Sequence, residues 1–368
     1  GRKSISILAV LLYGLSIGGI STMMFQRMYM MLTFFTTAFL YLNLFIVKSE
    51  YKVNKKTQIL LAITAILGFL TQYFFAIYAA LVAIVMIVLF IKNKETKELF
   101  KYIRTLVISA VIGIVLFPFS IDHMLNSDRK IGGFQSTNYA DRVLTYFNMI
   151  LRYFGSKWEI MLALFAIALL AILIKRKTER GITAVIIFPT IIYIMLVAKL
   201  AEFLELRYVM NILPIVAIMI MMAIGSIFEN KKYNIMLATV ALILLVGYGF
   251  LTEEPLYLYK DYNKYIDISK KYSDDDLVYV GYTFFDHIQS LPEFTNYKKT
   301  FMIYNDQTDR LKDDEELSDK NEFILSVHRN MEPEKVVSEV LEYTGFSNYE
   351  LIYEGDQEIN QVIYRIYR

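Results

Sequence analysis

The 368-residue sequence has no cysteine, a single tryptophan, three histidines and six prolines. Without cysteine there is neither a disulfide framework nor a thiolate metal site. His123, His287 and His328 are too scattered for a zinc pattern, and no phosphate-binding loop of the GxxxxGK type occurs. No ATP-driven pump is visible in the chain, and nothing identifies a cofactor; a divalent metal stays open without support from the sequence. The acidic run Asp313–Glu316 lacks the glycine and ligand spacing of a calcium loop and reads as a solvated loop. Acidic residues are scarce in one part of the chain only. Eleven of the 36 Asp/Glu precede residue 251, against 25 of the 38 Lys/Arg. The nominal charge is thus +14 before that point and −12 after it, hidden inside a total of +2. Such asymmetry argues for a membrane domain over 1–250 followed by a soluble acidic domain over 251–368.

What the sequence has in quantity is apolar residues, 56% of the whole. They gather into runs at roughly 5–20, 28–47, 58–73, 74–91, 104–119, 159–174, 182–199, 207–228 and 233–250. About 20 apolar residues cross a bilayer, so about nine transmembrane helices are expected, several with soft boundaries. Basic residues fall in every second connection: Arg2 and Lys3, Lys48 to Lys56, Lys92 to Arg104, Lys175 to Arg180, then Lys231 and Lys232. By the positive-inside rule these connections are cytoplasmic, which puts the C-terminal domain outside the cytoplasm. No Asp, Glu, Lys or Arg lies in the middle of any run. Ion-coupled transporters usually need such groups at mid-membrane depth, so the polar chemistry is expected at the outer surface. The chain opens on Gly1 rather than Met, and no signal peptide precedes the first run. It is expected to lack an N-terminal portion.

The stretch with most chemical promise is Lys199 to Phe228. Lys199, Glu202, Glu205 and Arg207 are followed at once by about twenty apolar residues, with Tyr208 at the boundary and Pro214 deeper in. Arg27 and Tyr29 stand at the outer end of the second run. An arginine there can fork onto phosphate, and a tyrosine can hydrogen-bond or stack on a sugar. The blander alternatives are interfacial anchors and a Glu202–Arg207 ion pair. Leu70–Phe74 (LTQYF), which contains Tyr73, interrupts an apolar stretch and reads as a helix-hairpin turn at the same face. His123 and Arg129 are further candidates in the outer loop 120–158. Within that loop, Asp141, Thr145, Asn148 and Arg152 recur at helical spacing opposite an apolar side, predicting an amphipathic interfacial helix over about 141–154. After Leu251 a helix (Tyr257–Tyr272) and a strand (Asp276–Tyr282) are predicted, then a short helix (Phe284–Gln289). Two strands (Lys299–Tyr304, Glu322–His328), a helix (Pro333–Tyr343) and a hairpin of Tyr349–Glu354 with Gln361–Tyr367 follow, a small α/β domain.

Four stretches in order, RMYMMLTFF (27–35), LGFLTQYFF (67–75), FPFSIDHMLNSDR (117–129) and ELRYVMNILPIVAIM (205–219), resemble bacterial glycosyltransferase family 39 proteins. These are enzymes of GT-C type that depend on polyprenyl-phosphate sugars, akin to the aminoarabinose and protein-mannosyl transferases. The resemblance covers about residues 1–250, and the acidic tail is similar to the variable extracytoplasmic domains of some members. It implies inverting transfer of a sugar from a lipid-linked donor to an extracytoplasmic lipid, glycan or protein, with membrane lipid but no nucleic acid as partner. It also implies a catalytic carboxylate in the first extracytoplasmic loop, upstream of this chain, so no catalytic residue is assigned here. By position, Arg27, Tyr29, Glu202, Arg207 and Tyr208 would line the donor cavity, with Tyr73, His123 and Arg129 near the same face. A leaving phosphate would be stabilised by fixed cations, and a carboxylate would deprotonate the acceptor. A lipid-linked saccharide exporter without enzymatic activity, or a membrane sensor with a ligand-binding outer domain, remain open alternatives.

Overall fold

The computed structural model describes residues 2–24, 28–120, 138–154, 180–201, 204–225, 227–228, 230–252, 262–281, 295–304, 307–313, 317, 319–355 and 361–368. The chain divides into two compact units, Gly1–Leu256 and Tyr257–Arg368.

The described part of the first unit is helical: α1 (Arg2–Leu15), α2 (Ile17–Met24), α3 (Tyr29–Lys48), α4 (Lys55–Thr71), α5 (Phe74–Lys92), α6 (Thr96–Leu116), α7 (Tyr139–Tyr153), α8 (Arg180–Leu200), α9 (Leu213–Ile224) and α10 (Lys231–Thr252). Among the described residues α3, α5, α6, α8 and α10 are long and apolar enough to cross a membrane, and α1 with α2 makes a sixth if that bent pair is one span. Helix α4 is apolar but has only 17 residues. The expected run 159–174 lies outside the described residues.

Two of the expected spans are not single helices. The run at 5–20 breaks at Ser16, where α1 and α2 meet at 57°. The Ser16 hydroxyl donates to the Tyr13 carbonyl at 2.8 Å and accepts from Gly19 N–H at 3.0 Å, so one side chain takes over backbone partners at the bend. A Cβ at position 19 would stand 1.9 Å from the Tyr13 carbonyl oxygen, which is why glycine occupies it. The run at 207–228 begins with two 3-10 turns, Leu206–Tyr208 and Met210–Ile212, before the twelve residues of α9. Pro214, at the head of α9, has no N–H for the Met210 carbonyl, and its ring crowds that carbonyl. The regular α-helix begins only at Leu213, and at 1.5 Å per residue α9 alone is too short for a bilayer. Helix α6 departs in the other direction. It starts at Thr96, so Lys97, Lys101 and Arg104 ride on its first turns rather than in a connection.

Outward rows of large apolar side chains mark the long helices. Helix α10 exposes Met236, Val240, Ile243, Leu244, Phe250 and Leu251; α6 exposes Val107, Val111 and Val115. In water such continuous surface favours aggregation, whereas against acyl chains it is ordinary. Polarity inside these helices is mostly consumed locally. Thr64, Thr105, Ser109 and Thr239 each donate to the carbonyl four residues earlier. Tyr102 instead reaches across from α6 to Asn43 of α3, donating to its Oδ1 at 2.7 Å.

The basic connections gather at one end of this unit. Lys52 pairs with Glu95 at 3.4 Å, and Glu98 accepts from Val53 N–H at 2.8 Å, which ties the α3–α4 and α5–α6 connections together. Gly181, at the start of α8, stands beside Val47, Tyr51 and Leu89. Helices α3 and α5 begin, and α8 ends, at the opposite end.

The second unit is a five-stranded sheet of β1 (Asp276–Gly281), β2 (Lys299–Tyr304), β3 (Glu322–His328), β4 (Asn348–Glu354) and β5 (Gln361–Tyr367), in the order β2-β1-β3-β5-β4. Strand β1 is parallel to β2 and β3, while β5 is antiparallel to β3 and β4. β1 is buried at all six positions, as a central strand covered on both faces must be. Helix α12 (Pro333–Thr344) and the 3-10 segment Gln307–Asp313 pack together, and Val336, Val337 and Val340 join Val278, Phe323 and Leu325 in one core. On the other sheet face Tyr265 of α11 (Tyr262–Lys271) meets Leu277, Tyr279, Ile324 and Ile363. The predicted strands, helix 333–343 and C-terminal hairpin all appear, with ends moved by one residue at most. The predicted helix 284–289 lies outside the described residues.

Candidate functional site

Because α3 and α5 run antiparallel to α8, their first residues meet its last ones. Tyr29 opens α3 and is buried, Tyr73 precedes α5 and is half-exposed, and the chain leaving α8 passes through Glu205 to the turn Leu206–Tyr208. The second turn, Met210–Ile212, rests against α3. Charge next to a long apolar run forces this local form. The polar residues stay at the end of the bundle, while Pro214 holds the helix start below them.

Arg207 and Glu205 form the ionic centre. Nη2 donates to Glu205 Oε1 at 3.0 Å, and Nε stands 2.6 Å from Oε2. That Nε–H is not aimed at the oxygen, so the contact is electrostatic rather than a second hydrogen bond. Nη2 also lies 3.5 Å from the Tyr208 hydroxyl, and the guanidinium sits 5.2 Å from the Tyr208 ring centre. Burial alone would pull the Arg207 pKa down. The Glu205 carboxylate and Tyr208 outweigh it and hold the group above its ordinary value, with Tyr29 close enough to add to the effect. The arginine is therefore a permanent cation, a quarter exposed. Among the described residues none accepts from its Nη1 edge.

Aromatic rings wall this cation. Tyr208 lies 5.1 Å from Phe74, which lies 4.8 Å from Tyr73. Beneath it, the fully buried Tyr193 donates to the Tyr208 carbonyl at 2.9 Å and stands 3.2 Å from Asn211 Oδ1. The Asn211 amide nitrogen is buried with no hydrogen-bond partner among the described residues. Tyr193 is in turn edge-on to Tyr78 at 5.6 Å.

Helix α7 closes another side. Asn138 caps it by accepting from Ala140 N–H at 3.3 Å. Tyr139 donates to the Met195 carbonyl at 2.9 Å, and Arg142 donates through Nε to the Ala198 carbonyl at 2.8 Å and through Nη2 to that of Ala201. The same helix packs against the turn Leu206–Tyr208, with Tyr146 fully buried. At its far end, the Tyr153 ring lies over Gly18 of α2, where a Cβ would meet it at 2.0 Å. A crevice between α7, α8 and α9, lined by Phe147, Ile150, Thr190, Ile194, Val216 and Met219, has a volume of about 20 Å³. That is room for roughly one water molecule.

The structure thus brings together Tyr29, Tyr73, Arg207 and Tyr208 of the residues singled out from sequence. Arg27, His123, Arg129 and Glu202 lie outside the described residues. The ion pair considered for Arg207 with Glu202 is made with Glu205. Sequence reasoning missed Arg142, Tyr146, Tyr193 and Asn211. Helix α7 was legible as amphipathic, but nothing local shows that Arg142 reaches residues 56 and 59 positions away. Among the described residues no group of three His, Asp or Glu could hold a metal. The arrangement suits a singly charged anion flanked by a group that offers hydroxyls or an apolar face to aromatic rings. No protein-family model matches the sequence, and no curated protein matches it.

Proposed function

We propose that the protein is a membrane glycosyltransferase of GT-C type, which takes a sugar from a polyprenyl-phosphate donor and passes it to an acceptor outside the cytoplasm. The observation that carries this reading is the convergence of Tyr29, Tyr73, Arg207 and Tyr208 at the bundle end opposite the basic connections. Those four residues come from three of the four stretches that resemble glycosyltransferase family 39. With the basic connections cytoplasmic, the site and the second unit face outward. Arg207 holds the donor phosphate through its Nη1 edge, Glu205 fixes the plane of the guanidinium, and the tyrosines receive the sugar. A fixed cation favours departure of the phosphate because negative charge grows there in the transition state. Glu205 is engaged by Arg207 and is not assigned as the base that deprotonates the acceptor.

The test is transfer from a polyprenyl-phosphate sugar by the full-length protein at matched membrane levels. Arg207→Ala should lower turnover about 100-fold or more, and Arg207→Lys should also impair it, since an ammonium cannot reproduce the planar fork. Full activity in the lysine variant removes the fork role. Full activity in both removes Arg207 from the site, and absence of transfer by the wild type favours an exporter or sensor.

A further inference from the structure

We infer that α7 is a brace that sets where Arg207 stands, with Arg142 as its positioning residue. This rests on the reading of Arg207 as the group that grips a lipid-linked phosphate. Tyr139, Arg142 and Tyr146 lie three and four residues apart, so they share one face of α7. That face holds the chain on both sides of the exit from α8. Before the exit, Tyr139 and Arg142 bond the carbonyls of Met195, Ala198 and Ala201. After it, α7 packs against the turn Leu206–Tyr208. Glu205 then takes Arg207 in its carboxylate.

The last carbonyls of a helix have no partner inside it and need one from outside. Arg142 supplies it at Ala198 and again at Ala201, a residue buried to 4% exposure. One planar guanidinium reaches both oxygens at once, which a lysine ammonium on a single flexible stem does not. Removing the fork releases the segment that leads to Glu205, and the Arg207 guanidinium loses its fixed plane. Arg142 touches neither Arg207 nor its ligand in this scheme; it acts through Glu205.

The experiment is equilibrium binding of a long-chain polyprenyl phosphate, and separately of the uncharged polyprenol, to the purified full-length protein in detergent. The readout is the ratio of the two affinities, the phosphate preference. Arg207→Ala should abolish most of it. Arg142→Ala should lower it about 10-fold while leaving polyprenol binding unchanged, Arg142→Lys should restore only part, and the double variant should be no worse than Arg207→Ala alone. Should Arg142→Ala fail to accumulate, the charge-conserving lysine variant and its combination with Arg207→Ala carry the same comparison. A full preference in the Arg142 variants, with Arg207→Ala impaired, overturns the brace and leaves the phosphate reading standing. Losses that multiply in the double variant overturn it too, because Arg142 then acts independently of Arg207. An unchanged preference in Arg207→Ala removes the phosphate reading, and the brace falls with it.

Discussion

The two units handle buried polarity in different ways. In the sheet unit, side chains bond between elements. Ser326 donates to Gln361, Gln361 to Tyr279, Thr308 to Glu339, and Arg365 to Glu322. In the helical unit Thr64, Thr105, Ser109 and Thr239 bond back to their own helices. A segment surrounded by lipid must satisfy its polar groups internally, whereas a sheet unit in water is free to use them as cross-links. The exceptions in the helical unit are informative for that reason. Tyr102 crosses to Asn43 and Glu98 accepts from Val53 N–H, while Tyr193, Arg142 and Tyr139 reach 15 to 59 residues along the chain and all three converge on residues 195–211. The gathering of several such contacts on one short stretch marks it as a place where a particular geometry is being held.

The contrast can be strained from both sides. The largest effect is expected at Phe323, fully buried against Phe346 in the sheet unit. Phe323→Ala should cost about 3–5 kcal/mol, read as faster hydrogen exchange through β1–β5 with α3, α5 and α8 unchanged. Next comes Arg207→Ala, whose expected 100-fold loss of transfer corresponds to about 2.7 kcal/mol of transition-state stabilisation. Tyr193→Phe removes only one hydroxyl, yet leaves the buried Asn211 amide with one partner fewer. It should lower stability by about 1–3 kcal/mol in a thermal melt of the detergent-solubilised protein.

A pH effect belongs to the sheet unit. Partial burial disfavours the charged form of His328 and holds its pKa below the ordinary value near 6.5. The unfolded chain then binds a proton more readily than the folded one, so this contribution is complete above about pH 6.5 and declines as pH falls through the folded pKa. Hydrogen-exchange protection in β3, taken relative to the intrinsic exchange rate at each pH, should fall modestly below pH 6.5, and His328→Gln should flatten that dependence. The smallest effect is expected at Ser109→Ala, where a purely local bond is lost and the melt should move by no more than about 0.5 kcal/mol. A loss as large as that of Tyr193→Phe would erase the distinction between local and long-range polarity.

Legibility from sequence followed the range of the interactions involved. The sheet unit was readable because alternation, turn residues and Pro333 at a helix start are local signals. The hairpin turn at Gln72–Tyr73 was readable for the same reason. Arg207 stood out because charge abutted a long apolar run. That same run misled about its own structure. Counting apolar residues does not register local backbone form, and one expected span is two 3-10 turns followed by a short helix with Pro214 at its head. Tyr29 read as a surface anchor or a ligand contact with little to separate them, and its burial argues against a side chain that merely floats at an interface. Arg142 and Tyr193 gave no local sign, since their partners are far along the chain.

The packing of α1 has a consequence for assembly. Its neighbours are α9 and α10, with Leu12 fully enclosed, so it makes its contacts with helices synthesised almost a whole unit later. Helices α3 to α6 can settle hairpin by hairpin as they emerge, because each lies against one made just before. Helix α1 has to wait, and closing so long a loop is slow in proportion to the chain entropy it removes. Among the described residues, the face of α1 that carries Leu12 is covered only once α9 and α10 are in place.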